Sequence, residues 1–117
     1  MNEAALLLVD KPAGWTSHDV TAYLRGVLGG AKTGHSGTLD PMATGLLILL
    51  IGRATKLQKN YQNLPKKYYA EVTLGAETDT WDAEGFVTRT APVPALRTEN
   101  IKAALRRPKS ISPAVCA

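Results

Sequence analysis

The sequence predicts an α+β fold, in which strands and helices are mixed along the chain and share one small core. Two observations indicate it: short apolar runs of strand length, and two segments whose apolar residues recur at helical spacing. Apolar residues make up 44% of the chain and charged residues 21%, a balance that argues against disorder. The length of 117 residues allows one domain, or part of one.

Four segments are predicted to be strands. Residues 6–9 and 46–51 are apolar runs bounded by turn-forming residues, which is typical of buried strands. Residues 68–74 alternate apolar and polar side chains, as a half-buried strand does. Residues 86–88 form a short strand after an acidic loop over residues 75–85.

Two helices are predicted from caps and spacing. Thr16 or Ser17 can cap the first helix, which ends at Gly29-Gly30. Thr98 follows two prolines and caps the second helix.

The charges are unevenly distributed along a chain of net charge +4. Five acids and no cation lie between residues 71 and 84. Residues 52–68 carry no acid and five cations, here called the basic stripe: Arg53, Lys56, Lys59, Lys66 and Lys67. The two segments are either solvated faces of opposite sign, or the basic stripe binds phosphates.

Cysteine content and apolar run length predict a cytoplasmic protein. The single cysteine, Cys116, allows no internal disulfide, which suits a reducing compartment. Residues 1–5 carry an acid and no cation, so we expect no signal peptide. Neither apolar run is long enough to span a bilayer.

Residues 32–45 form a glycine-rich loop that carries one carboxylate, Asp40, and leads directly into an apolar strand. Pro41 stiffens the backbone after this carboxylate, and Gly34 and Gly37 allow tight turns and a close approach of substrate. His35 is flat and polar, so it can stack in place of a displaced base or bind a phosphate. The alternative for the Asp-Pro pair is a plain turn.

Several other chemistries fit this loop poorly. A P-loop needs glycine where Ala31 stands and must follow a strand, whereas this segment follows a helix. The two histidines, His18 and His35, have no second soft ligand nearby for zinc, and the acids of residues 75–85 lack calcium-loop spacing. What remains is a lone carboxylate that needs no metal and can act as a nucleophile toward an electrophilic carbon.

Five motifs in register resemble those of the tRNA pseudouridine synthase B family. Residues 34–45 (Gly-His-x-Gly-Thr-Leu-Asp-Pro-x-Ala-x-Gly) resemble its active-site signature, and residues 11–17 (Lys-Pro-x-Gly-x-Thr-Ser) its opening motif. Residues 52–56, 66–68 and 75–85 resemble the segment after its active-site strand, its tyrosine motif and its acidic loop.

The resemblance implies the family's fold, a mixed and largely antiparallel sheet with flanking helices, of which this chain would hold the N-terminal half. Residues 1–107 would be the N-terminal part of the catalytic domain, and residues 108–117 a divergent or truncated tail. The substrate implied is the T-stem-loop of tRNA, bound without a cofactor or metal by a protein that is a monomer when complete.

The resemblance also implies roles for individual residues. Asp40 would be the nucleophile that isomerises uridine 55 to pseudouridine, attacking either the sugar or the uracil ring of a flipped-out base. His35 would fill the space of that base, and Tyr68 would stack on the uracil. Six residues would shape the loop: Lys11, Pro12, Gly34, Gly37, Thr38 and Pro41. Four would bind the RNA backbone: Arg53, Lys56, Lys66 and Lys67.

Two alternatives to catalysis by this chain remain open. The family's later tyrosine, its arginine that pairs with the catalytic carboxylate, and a pocket leucine have no counterpart in these 117 residues. The first alternative is therefore a truncated, catalytically inactive fragment that at most binds RNA. The second, from another class, is a phosphoaspartate hydrolase.

Overall fold

The computed structural model describes residues 3–106, in two compact units divided between Lys66 and Lys67. The first unit consists of a three-stranded sheet, one long helix and a short helical segment. The second consists of a two-stranded sheet and one helix. Antiparallel sheets combined with helices confirm the predicted α+β class.

The sheet of the first unit is antiparallel throughout. Strand β1 (Ala4–Lys11) and strand β2 (Thr33–Ser36) lie on either side of β3 (Gly45–Gly52), so β3 is the central strand. In the register Lys11 pairs with Gly45, and Ser36 pairs with Ile48. The end of β1, the end of β2 and the start of β3 therefore lie at the same end of the sheet, where the glycine-rich loop emerges.

Helix α1 (Ser17–Val27) begins at a capping box, in which the first helical turn is closed by reciprocal hydrogen bonds. The Asp19 N–H donates to the Thr16 hydroxyl, and the Thr16 N–H donates to the Asp19 carboxylate, both at 2.9 Å. The main-chain hydrogen bond from Thr16 lowers the pKa of the exposed Asp19 carboxyl. Its stabilising effect is present above the unfolded-state pKa and is lost as pH falls through the folded-state pKa.

Helix α1 covers one face of the sheet and forms the core with β3. Val20 packs against Leu47 and Leu49, which are 1% and 0% exposed. Leu47 and Leu49 point to the same face because side chains alternate along a strand. The predicted burial of the first strand is wrong, however, since Leu8 is 66% exposed. Strand β1 forms an edge of this sheet. Among residues 3–66 of the first unit, Leu46 on the face opposite α1 is also exposed.

The chain after β3 forms a helical segment that the sequence analysis did not predict. Arg53–Leu57 is a 3₁₀ helix that continues into α2, Gln58–Gln62. Both pieces are short and carry few apolar side chains, so they show no clear helical periodicity.

The second unit agrees with the predictions only in part. Strands β4 (Ala76–Thr78) and β5 (Val87–Thr90) pair antiparallel, and α3 spans Thr98–Leu105. The short strand and the last helix are thus confirmed, with a shift of about one residue, and part of the predicted acidic loop is strand β4. The N-cap position of α3 is Arg97 rather than Thr98, and the Arg97 N–H donates to the Asn100 side chain at 3.1 Å.

The predicted strand over residues 68–74 is wrong. Within the described part of the chain this segment forms a single isolated bridge, at Val72. Tyr68 is 71% exposed and Leu74 50% exposed, so the alternating face packs on little. Alternation predicts where side chains would point, but a strand also needs a neighbour to accept its backbone hydrogen bonds. The predicted tail, residues 108–117, lies outside the described residues. No helix within residues 3–106 is long and apolar enough to cross a membrane.

The core predicts a contrast between two leucines of β3. Leu49→Ala should lower the free energy of unfolding by about 2–5 kcal/mol, because it opens a cavity against Val20. The control Leu46→Ala removes a side chain that is 64% exposed and should cost less than about 1 kcal/mol. Urea unfolding followed by circular dichroism measures both. Equal losses would contradict this description of the core.

Candidate active site

A buried lysine connects the β1–α1 turn and the glycine-rich loop, which emerge at the same end of the sheet. Lys11, the last residue of β1, is 0% exposed. Its ammonium donates to the carbonyl oxygens of Pro12 at 2.9 Å, Trp15 at 2.6 Å and Pro41 at 3.1 Å. An ammonium has three protons, so these three bonds use its full donor capacity. Lys11 thereby joins the β1–α1 turn to the glycine-rich loop.

Two further contacts hold the loop against the same turn. The Gly14 N–H donates to the Pro41 carbonyl at 2.7 Å, and Gly14 has a φ of +87°, a conformation that favours glycine. The buried Ser17 hydroxyl accepts from the Leu39 N–H at 2.9 Å and donates to the Leu39 carbonyl at 3.3 Å. Leu39 is therefore fixed by the first residue of α1, and Pro41 by the last residue of β1 and by the β1–α1 turn.

Asp40 combines a fixed backbone with an exposed side chain. Its carbonyl accepts from the Ala43 N–H at 3.0 Å, which closes a turn with Pro41 at its second position. Proline favours this position because its ring presets the required φ. Thr38, two residues before Asp40, is also exposed. The structure thus presents one carboxylate to solvent from a backbone that has little freedom to move.

His35 is held by its own loop and by α2. Its ring Nδ1–H donates to the Gly37 carbonyl at 2.8 Å, because a carbonyl can only accept. In the neutral ring this leaves Nε2 as an acceptor. The Gln58 side chain donates to the His35 main-chain carbonyl at 2.7 Å. Gly37 has a φ of +86°, so the chain reverses directly after β2 at a residue with no side chain to strain.

Gly34, the other glycine predicted to allow a tight turn, has a different environment from the one predicted. Gly34 lies inside β2 and pairs with Leu50, so it is a strand residue and not part of a tight turn. A Cβ at this position would lie 3.9 Å from the Thr55 side chain, an ordinary contact distance. The reversal of the chain depends on Gly37 instead.

One cation of the basic stripe lies beside this turn. The Lys66 ammonium donates to the Gln62 carbonyl at 3.0 Å, and a Cβ at Gly37 would lie 3.4 Å from it. Arg53 and Lys56 are exposed on the 3₁₀ helix that follows β3. Lys67 is the first residue of the second unit, where it is exposed next to Tyr68.

At this end of the sheet the groups available for chemistry are the Asp40 carboxylate, the His35 imidazole and the Lys66 ammonium. Within residues 3–106 no group of three or more histidine, cysteine, aspartate or glutamate residues could hold a metal ion. An exposed carboxylate on a rigid turn can attack an electrophilic carbon and form a covalent intermediate. The imidazole acceptor can bind an N–H or O–H group of a polar substrate, and the cation beside the turn suits a substrate that is also anionic.

Three residues that build the site were not predicted to do so. Gly14 and Gln58 had no assigned role, and Ser17 was considered only as a helix cap. The capping hydroxyl is that of Thr16, which frees Ser17 to bind Leu39. The opening motif contains Gly14 and Ser17, but its spacing says nothing about a partner more than twenty residues away.

A comparison with protein-family models identifies residues 25–112 with the TruB family pseudouridylate synthase N-terminal domain. This match includes the whole glycine-rich loop and both strands beside it, β2 and β3.

Curated relatives agree with the family match. A tRNA pseudouridine synthase B of Opitutus terrae is 52% identical over 100 residues, which are 86% of this chain and 42% of the relative. Proteins of the same name from Mycobacterium bovis and Mycobacterium tuberculosis are 47% identical over 102 residues, 87% of this chain and 34% of theirs. The chain therefore spans well under half the length of the relatives it matches.

The contacts of Lys11 predict that its removal loosens the loop. Lys11→Met should lower the free energy of unfolding by about 2–4 kcal/mol, because it leaves partly buried carbonyls without a donor. Amide hydrogen exchange at Gly14 and Leu39 should accelerate at the same time. The control Lys59→Met changes an exposed lysine of α2 and should stay within about 0.5 kcal/mol of the parent. Similar stability for both variants would show that the ammonium does not hold the loop.

Proposed function

The chain belongs to the TruB family of pseudouridylate synthases, and we propose that it forms the N-terminal part of the catalytic domain of a tRNA pseudouridine-55 synthase. Residues 1–107 would make up this part, and residues 108–117 a divergent or truncated tail. The observation that carries the proposal is the position of Asp40. It is an exposed carboxylate, on a turn fixed by Lys11, Gly14 and Ser17, inside the region that matches the family.

The proposed reaction isomerises a uridine of the T loop of tRNA. The bond between uracil N1 and the ribose C1′ breaks, the uracil turns while it stays bound, and its C5 forms a new bond to C1′. The proton on C5 is released and N1 gains one, so the reaction is redox-neutral and requires no cofactor. Asp40 supplies the nucleophile, and both the sugar carbon and the uracil ring remain candidate points of attack.

A fixed backbone at Asp40 supports this chemistry. A nucleophile that is already in position loses less conformational freedom in the transition state, and so accelerates the reaction. The contacts on Leu39 and Pro41 restrict the Asp40 backbone from both sides. The carboxylate itself remains exposed to solvent.

His35 fits the role of a residue that replaces a displaced base. A uridine inside a folded RNA loop has to leave its stack before it reaches a carboxylate, at a cost of about a few kcal/mol. The imidazole is flat, and its orientation is fixed by the hydrogen bond to Gly37. Its Nε2 is free to accept a hydrogen bond from RNA. Tyr68, exposed in the second unit, is proposed to stack on the flipped uracil.

The basic stripe supports RNA as the substrate. Lys66 lies beside the His35–Gly37 turn, where a phosphate next to the flipped nucleotide would need a cation. Arg53, Lys56 and Lys67 are proposed to contact phosphates further along the RNA. The second candidate function, RNA binding without turnover, rests on these same exposed cations and does not need Asp40.

Catalysis is tested by tritium release from T-stem-loop RNA labelled at C5 of uridine. The parent chain should release tritium, and Asp40→Asn should reduce the rate by at least about 10³-fold, as expected for loss of a nucleophile. Asp10→Asn is the matched control, because Asp10 is an exposed aspartate near the same end of the sheet. It should leave the rate unchanged.

Two outcomes would contradict the catalytic proposal in different ways. If the parent chain binds the RNA but releases no tritium, the second candidate function is the better description. If the parent and Asp40→Asn release tritium equally fast, Asp40 is not the nucleophile.

Phosphate contacts are tested by the salt dependence of RNA binding. Lys66→Ala should weaken binding and reduce the slope of log K against log salt by about 0.7–0.9, the value for one phosphate contact. Lys67→Ala should have a similar effect. The control Lys102→Ala changes an exposed cation of α3 outside the basic stripe and should preserve the slope. Fluorescence anisotropy of labelled RNA measures all four proteins. Parallel salt curves for parent and Lys66→Ala would remove Lys66 from the RNA contact.

A further inference from the structure

We propose that Trp15 and Tyr23 form a second RNA contact, a stacking platform for a nucleobase next to the flipped uridine. This inference rests on the proposed function, because it requires that RNA approaches the Asp40 turn. Neither aromatic side chain contributes to the candidate active site, where Trp15 takes part only through its main-chain carbonyl.

The two rings form an ordered pair that the core does not use. Their centroids lie 5.7 Å apart and their planes are 85° from parallel, an edge-to-face arrangement. Trp15 is 40% exposed and Tyr23 is 60% exposed, so each ring keeps a large surface in contact with solvent. The pair orients the indole without covering it.

The backbone of Trp15 is fixed to the candidate active site. Its carbonyl accepts from the Lys11 ammonium at 2.6 Å, and the same ammonium binds the carbonyl of Pro41, the residue after Asp40. The next residue, Thr16, is held by the capping box with Asp19. The polypeptide is thus restrained on both sides of the exposed indole, and the main chain of Trp15 lies beside the Asp40 turn through their shared contact with Lys11.

Stacking on a nucleobase is the interaction that this position favours. Every base has an aromatic face, and stacking on an exposed aromatic side chain contributes about 5- to 100-fold in affinity per base. A base that leaves its stack exposes the face of its neighbour in the RNA loop. An aromatic ring fixed next to the site of flipping can cover this neighbouring face and offset part of the cost. The Trp15–Tyr23 pair is positioned to do so.

Fluorescence of Trp15 tests this directly. The chain contains two tryptophans, so Trp81→Phe leaves Trp15 as the remaining one. Adding a T-stem-loop RNA hairpin should quench Trp15 emission, with a midpoint equal to the dissociation constant from anisotropy of the labelled hairpin. A plain RNA duplex of equal length and charge should bind through its phosphates with little quenching.

Affinity measurements separate stacking from a merely structural role. Trp15→Leu should weaken binding of the hairpin by about 5- to 100-fold, whereas Trp15→Phe keeps an aromatic face and should restore most of the affinity. The control Val27→Ala changes an apolar residue at the other end of α1 that is 64% exposed, and should not alter affinity. Circular dichroism and thermal unfolding verify that each variant is folded.

The possible failures are distinguishable. If the parent chain binds no RNA, the proposed function fails and this inference fails with it. If the hairpin binds but Trp15 emission does not change and Trp15→Leu binds as the parent does, the stacking platform alone is overturned. The aromatic pair would then only cover the surface of α1.

Discussion

The site depends above all on the burial of one ammonium. Lys11 is fully buried at the end of β1, and its ammonium donates three hydrogen bonds to main-chain carbonyls of two segments. Within residues 3–106 the one salt bridge joins Arg89 to Glu77, so carbonyl dipoles, not a carboxylate, surround this charge. A buried charge is costly unless its hydrogen bonds are complete. Movement of the β1–α1 turn away from the loop would take the Pro41 carbonyl from the buried ammonium and leave one of its three protons without an acceptor, and this penalty holds the two segments together.

This constraint gives each neighbouring residue its environment. Gly14 approaches Pro41 closely, Ser17 binds Leu39, and the Asp40 carboxylate is left pointing into solvent from a restrained backbone. On the other side of the turn the same ammonium holds the carbonyl of Trp15. Two of the residues proposed to act on RNA, Asp40 and Trp15, are therefore supported through their neighbouring main chain by a single buried cation. The central strand β3 provides the rigid base, because Leu47 and Leu49 are packed under α1.

Local signals predicted some elements well and failed where pairing was needed. The cap at Thr16 and the apolar spacing that follows it are contained in a dozen residues, so the start of the first helix was predictable to within a residue, although the helix ends at Val27, before the predicted Gly29-Gly30. Strand β2 was assigned to a loop because Thr33–Ser36 has little apolar content, and only its pairing with β3 makes it a strand. Residues 68–74 are the opposite case. Their alternation predicts a strand, yet in the described structure their pairing is limited to one bridge. Hydrogen bonds between strands are tertiary contacts, which a one-dimensional pattern does not contain.

By itself the sequence determined the α+β class, the apolar strand over residues 46–51 and the family, and it proposed Asp40 as a candidate, because motif spacing and apolar runs are local properties of the chain. Only the tertiary structure decided that this strand is central and how Lys11 and Ser17 support the backbone around Asp40. A lysine is normally expected at the surface, so the burial of Lys11 carries no sequence signal, and neither does the distance between Ser17 and Leu39. Those contacts exist because antiparallel pairing places the end of β1 opposite the start of β3. The register brings the opening motif and the active-site motif, which are separate in the sequence, to the same end of the sheet.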